Sequence, residues 1–319
     1  MNTPSRALIL GASGGIGGEV ARQLRAAGWQ INALTRRTPS GEDYHWITAD
    51  ALSRAEVVHA ARDCEVIVHA VNPAGYRHWD TQVMPMLENT LTAARQHGAT
   101  VVLPGTVYNF GADTFPVIAE DAPQQPQTRK GGIRAAMEQR LQEFVSEGGR
   151  ALIVRAGDFF GPAAGNNWFA QGLIKPGKTI TTVSNPGRAG VGHQWAYLPD
   201  VAATMVALLG HRTQLCPLEK VHLAGHWDED GSAMAAAICR VVARYSSQSP
   251  RIATFPWWLV HLLAPFQTTF RELKEMQYLW QQPVRLSNAR LLSLLGHEPH
   301  TPLDRAVEAT LRALGCLPA

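Results

Sequence analysis

Residues 8 to 18 read Leu-Ile-Leu-Gly-Ala-Ser-Gly-Gly-Ile-Gly-Gly, with glycines at positions 11, 14 and 17 directly after an apolar run. Such glycines let backbone N–H groups come close to a ligand, and a helix starting there adds the positive end of its dipole. The chemistry expected is therefore the cradling of a diphosphate. Gly11 permits the tight turn, Gly14 admits the phosphates and Gly17 lets the helix lie close against the strand, with Ser13 and Ile16 in the same turn. The spacing G-x-x-G-x-x-G departs from the common G-x-G-x-x-G, so the glycines need strand and helix on either side to carry weight. One apolar run later, after Gln30 to Thr35, stand Arg36 and Arg37. In a dinucleotide site that position faces the adenosine ribose, where an Asp or Glu would accept from both hydroxyls. A guanidinium fork suits a 2′-phosphate instead, each charge-assisted hydrogen bond contributing roughly 1.5–3 kcal/mol. The pair predicts NADP(H) over NAD(H).

The elements needed to position these groups are legible. A helix over 15 to 27 places Ile16, Val20, Leu24 and Ala27 at helical spacing and stops at Gly28. Apolar strands at 66–70, 101–103, 152–155 and 221–223 alternate with helical patterns at 83–96 and 133–145. Strands separated by helices imply right-handed crossovers and a parallel sheet, hence a doubly wound α/β fold of the Rossmann kind. A dinucleotide-binding core over 1–156, with 198–224 returning to it, and a smaller, mostly helical substrate lobe over 157–197 and 225–319 are expected. That lobe would sit above the carboxyl ends of the strands. In it Asn166, Asn167, Trp168, His193, Gln194 and Trp195 are candidates for the pocket, the tryptophans as apolar walls and His193 as a hydrogen-bonding or proton-carrying group.

With 319 residues and 45% apolar content the chain can bury a large core and a second lobe. Its net charge of +3 is scattered without a Lys/Arg run, which argues for small-molecule partners and against nucleic acid or a membrane surface. Cys64, Cys216, Cys239 and Cys316 lie far apart, so neither a disulfide framework nor a metal site is expected, and a reducing cytoplasm is the expected home. No apolar run near the first residues resembles a signal peptide. The stretch Phe255 to Phe266 is twelve residues long, too short to span a bilayer, and reads as an amphipathic helix packed on the core or on a partner subunit.

Several segments resemble the extended branch of the short-chain dehydrogenase/reductase superfamily, which holds sugar-nucleotide epimerases, dehydratases and related reductases. Ala49-Asp50-Ala51-Leu52 is similar to the branch's short acidic motif, which implies Asp50 near the adenine. Val68-His69-Ala70-Val71 stands where a turn closes on the cofactor, which implies Ala70 and Val71 as contacts and His69 as a support for the loop. The segments Arg155 to Pro162, Trp195 to Ala202 and Leu295 to Pro299 complete the likeness, with Phe160 where Tyr is usual. The resemblance implies a nicotinamide cofactor, a hydride moved to or from a carbonyl or hydroxyl carbon, and pairing into homodimers.

The superfamily's acid/base pair, Tyr-x-x-x-Lys, is missing. Pro126 and Glu138 place its two positions at Lys130 and Arg134, and no Tyr lies between Tyr108 and Tyr197. The usual Ser/Thr partner depends on register: if Phe110-Gly111 stands for the family's Tyr-Gly, Thr106 falls on it; if Val107-Tyr108 does, Leu103 and Pro104 do and the hydroxyl vanishes. Lys130 is one candidate for the proton exchange, its ammonium destabilised by burial and by Arg134 one helical turn along, with Arg134 binding the nicotinamide ribose or a substrate anion. Tyr108, at the end of the fifth strand, is a second. Two activities fit the resemblance: an NADP(H)-dependent oxidoreductase or epimerase with an atypical site, and a non-catalytic NADP(H) sensor like the regulatory NmrA-like members.

Overall fold

The computed structural model describes residues 4–37, 44–73, 78–163 and 167–318. Its strands are β1 (Arg6–Leu10), β2 (Gln30–Thr35), β3 (His45–Thr48), β4 (Val66–His69), β5 (Thr100–Thr106), β6 (Val117–Ile118), β7 (Arg150–Ala156), β8 (Asp158–Phe160), β9 (Thr182–Asn185), β10 (His193–Tyr197), β11 (Leu218–His222), β12 (His226–Asp228), β13 (Arg251–Thr254) and β14 (Arg285–Leu286). Its helices are α1 (Gly15–Ala26), α2 (Arg54–Ala60), α3 (Trp79–His97), α4 (Arg129–Ser146), α5 (Leu198–Gly210), α6 (Ala233–Ala243), α7 (Trp257–Leu263), α8 (Thr268–Glu275), α9 (Ala289–Leu295) and α10 (Leu303–Ala313).

Seven strands pair in parallel in the order β3-β2-β1-β4-β5-β7-β11. Burial on both faces explains why these strands read as continuous apolar runs rather than alternating ones. In β1, Ala7 and Ile9 join Val20 and Leu24 of α1 and Val201, Met205 and Leu208 of α5 on one face. Leu8 and Leu10 join Leu87 and Leu91 of α3 and Met137, Leu141 and Phe144 of α4 on the other. The order reverses between β1 and β4, and there the carboxyl ends of the strands diverge into a ligand crevice.

The remainder forms a lobe with its own core, in which Phe160, Phe169, Trp195, Ile238, Trp280 and Val307 meet. Alongside α6 to α10 it holds the sheets β12-β10-β8, β13-β9 and β14-β6. Strands of two to five residues are too short to display the alternation that marks a strand in a sequence. Two helices start four residues earlier than their apolar patterns do, α3 at Trp79 and α4 at Arg129. In α4 the Thr128 side chain accepts from Gly131 N at 3.0 Å, a cap that brings Lys130 inside the helix. The expected packing of the Phe255 to Phe266 stretch holds for one face only: Val260 is buried and Trp257 packs on the lobe core, while Trp258, Leu262 and Phe266 are exposed. Among the described residues no helix is long and apolar enough to cross a membrane.

Candidate active site

A cleft of about 700 Å³ opens at the switch point. Gly11, Ser13, Gly14, Arg36, Arg37, Asp50, Ala70 and Val71 line it. Its floor is set by close approach. Gly11 has φ +90°, and a Cβ there would stand 2.5 Å from the Ala70 carbonyl oxygen. A Cβ on Gly17 would come within 2.3 Å of the Gly11 oxygen. Ile16 and Gly17 are thus one layer back, Ile16 against the core and Gly17 seating α1 on the turn. No side chain caps α1, so the amides of its first turn face the cleft end uncommitted to a cap. Uncapped amides, a glycine-narrowed turn and two exposed arginines supply donors that fit the phosphates of a dinucleotide. Thr35 braces the arginine turn, its hydroxyl donating to the Arg37 carbonyl at 2.6 Å and accepting from Arg37 N at 3.2 Å. Asp50 is exposed at the cleft edge and its Oδ1 accepts from Leu52 N.

Behind Ala70, His69 is buried, with Nδ1 on the Thr90 hydroxyl at 2.8 Å and Nε2 without a partner. Burial, and then the positive charge of Arg134, push its pKa down to about 3, so it is a neutral support for the turn. Arg134 reaches back to the cleft wall, Nη2 to Asn72 Oδ1 at 3.4 Å, and lies over the Trp79 ring.

The second cavity, about 130 Å³, lies under the lobe and is lined by Tyr108, Lys130 and Asp158, by Asn167, Trp168 and Gln171, and by Phe159, Phe255, Glu272, Leu273 and Met276. Three elements bring its polar groups together. Tyr108 follows β5, Lys130 is in the first turn of α4, and Asp158 opens β8. Gly131 makes that convergence possible, because a Cβ there would stand 2.1 Å from the Tyr108 carbonyl oxygen.

Tyr108 Oη donates to Asp158 Oδ1 at 3.4 Å, and Asp158 Oδ2 lies 2.9 Å from His193 Nε2. His193 Nδ1 is 3.2 Å from the Leu279 carbonyl, which can only accept, so that nitrogen carries the hydrogen. Phenol, carboxylate and imidazole form a hydrogen-bonded line running inward from the cavity. Trp280 stacks on His193 at 3.7 Å between ring centres, fixing the imidazole plane.

Lys130 is nearly buried, and its Nζ is 2.7 Å from Glu272 Oε2 of α8. The sequence places only like charge beside it; the fold adds this carboxylate from 142 positions away, and it counters the ammonium rather than destabilising it. Thr106 does not line the cavity. Its hydroxyl bonds Asn109 Oδ1 and accepts from Tyr108 N, both at 3.2 Å, closing the turn after β5. Asn167 and Trp168 line the cavity, His193 stands one layer behind Asp158, and Trp195, 2% exposed, is a core side chain packed on His193 and Trp280. Asn166 lies outside the described residues.

Sequence reasoning missed Asp158, Gln171, Phe255, Glu272 and Met276 as cavity groups. Asp158 stood inside the quoted Arg155 to Pro162 segment, where its place after a β-strand was the available signal. The lobe residues carried none, since only tertiary docking of α8 onto α4 brings Glu272 to Lys130 and Glu275 to Arg129 N.

Residues 7–219 match the NAD dependent epimerase/dehydratase family, and the chain belongs to that family of enzymes. A nicotinamide dinucleotide is accordingly its class of cofactor. The 3-diazoavenalumate denitrifying reductase of a Streptomyces species is 31% identical over 181 residues, which are 50% of this chain and 58% of that protein. The chain thus spans little more than half of that relative. Among solved structures, UDP-galactose 4-epimerase superposes with a TM-score of 0.68 at 18% identity, covering 97% of this chain and 98% of the other. The UDP-N-acetylglucosamine 4-epimerase of Bacillus cereus gives 0.72 at 14% identity, with 98% and 99% covered. At these identities the likeness is one of fold.

Proposed function

We propose that the chain is an NADP(H)-dependent oxidoreductase that reduces a carbonyl, or oxidises the matching alcohol, in a compact substrate bearing a flat apolar group. The Tyr108–Asp158–His193 line opening into an aromatic-walled cavity carries this reading. Gly11, Ser13 and Gly14 would hold the diphosphate, Arg36 and Arg37 the 2′-phosphate, Asp50 the adenine end, and Ala70 and Val71 the inner wall. When bound, the cofactor supplies or takes the hydride.

Tyr108 turns its O–H from Asp158 to the substrate oxygen and gives up the proton, and the Asp158–His193 pair relays a proton from solvent back to it. Lys130, held by Glu272, orients that oxygen by hydrogen bonding, and Arg134 secures the nicotinamide ribose from the Asn72 side. Trp168, Phe159 and Phe255 grip the apolar part and exclude water. A cavity of about 130 Å³ supports a single-ring substrate over a nucleotide sugar, since pockets for larger ligands run to roughly 300–1,000 Å³. The reductase named among the relatives supports net reduction over epimerisation.

The test is NADPH consumption against a panel of aryl aldehydes and ketones beside UDP-glucose and UDP-galactose. Turnover of an aryl carbonyl with NADPH ahead of NADH is the expected result. Epimerisation of a nucleotide sugar without net consumption would overturn the reading.

A further inference from the structure

Where α5, β12 and the loop before α10 meet, Asp200, His226 and His300 come together although 26 and 74 positions separate them in turn. A carboxylate oxygen of Asp200 and one ring nitrogen of each histidine all lie within 4.8 Å of one another. We infer that this cluster, which shares no residue with the candidate active site, is a binding site for a divalent transition-metal cation, zinc first.

The carboxylate is already oriented: Oδ2 accepts from Thr301 N and Oδ1 from the Thr301 hydroxyl, each at 2.7 Å. Both oxygens keep lone pairs for a further partner. His226 is 9% exposed and its Nε2 is buried without a hydrogen-bond partner, an arrangement whose cost a metal ion would remove. The imidazoles of His226 and His300 lie 4.5 Å apart between ring centres. His300 is exposed, so the site opens to solvent, which leaves room for an incoming ion and a water ligand. Glu298, anchored on Ala224 N, Gly225 N and Asn288 Nδ2, adds negative charge nearby. Two imidazoles and one carboxylate suit zinc, cobalt or nickel; magnesium and calcium favour all-oxygen sets. Donors in a tetrahedral zinc site sit about 3.4 Å apart, so a swing of the exposed His300 side chain closes the shell. Such an ion would pin the start of the last helix to the Rossmann core.

The test uses the full chain stripped with a chelator and titrated with ZnCl₂ by calorimetry and with CoCl₂ by visible absorption. One equivalent of zinc, a rise in melting temperature and the absorption bands of four-coordinate cobalt are expected. His300→Ala, on an exposed side chain, and Asp200→Asn should each weaken zinc at least tenfold while NADPH affinity stays the same. Absence of stoichiometric binding by the wild-type chain, or zinc affinity untouched by His300→Ala, would overturn the assignment.

Discussion

Replacing Arg36 and Arg37 by alanine should cost NADPH affinity and leave NADH affinity alone. Both side chains are exposed at the cleft edge, and neither has an ion-pair partner among the described residues, so truncation strands no carboxylate among them. The backbone of the turn should survive, because the Thr35 hydroxyl holds it through Arg37 N and O. Solvent screening puts each arginine–phosphate contact near the lower end of the range for charged hydrogen bonds, about 1.5 kcal/mol. That is roughly tenfold per arginine, and about 100-fold for the double variant if both reach the phosphate independently. Calorimetric titration of each coenzyme into wild type, the two single variants and the double variant reads this directly. Equal losses for both coenzymes, or no loss for NADPH, would refute the assignment of these arginines to the 2′-phosphate.

Glu138→Gln should destabilise the fold by about 3 kcal/mol, because Arg155, 1% exposed, loses the charged half of a bidentate pair closed at 2.9 and 2.5 Å. A urea midpoint that shifts by less than the equivalent of about 1 kcal/mol would contradict it. Acid should weaken the protein before its carboxylates titrate. Burial pushes His69 and His222 down to about 3, with Arg134 and Arg155 respectively adding to the effect, so the unfolded chain binds more protons than the folded one. Their contribution is complete above the unfolded value near 6.5 and is lost as pH falls toward 3. Between pH 6.5 and 5 each should cost about 2 kcal/mol, and a flat denaturation midpoint across that window would exclude the mechanism.

The Rossmann half was legible because its strands are buried on both faces: Ala7 to Leu10 and Val66 to Val68 are fully buried apolar runs. The glycine turn was legible because Gly17 is dictated by the Gly11 carbonyl six residues back, whereas the Ala70 carbonyl that requires glycine at position 11 comes from the neighbouring strand. β3, half-exposed and four residues long, offered too little periodicity to place. The short strands of the lobe were not legible because Asp158 to Phe160 and His226 to Asp228 are three residues each and exist only through pairing with β10. The candidate catalytic groups followed the same divide. Tyr108 and Lys130 could be named from motif positions, whereas Glu272 beside Lys130 and His193 behind Asp158 are products of tertiary docking. The Asp200, His226 and His300 cluster escaped a search for metal-ligand spacing for that reason, its members lying on three separate segments.

The assignment of Tyr108 as the group that gives the proton is tested most directly by single-turnover oxidation of bound NADPH with an aryl carbonyl, comparing wild type, Tyr108→Phe and Lys130→Met. A rate in Tyr108→Phe lower by about 10²–10⁴-fold, with NADPH affinity unchanged and Lys130→Met affected chiefly in substrate affinity, is the predicted result. A Tyr108→Phe rate equal to wild type, beside a collapsed rate in Lys130→Met, would contradict it and return the proton to the lysine.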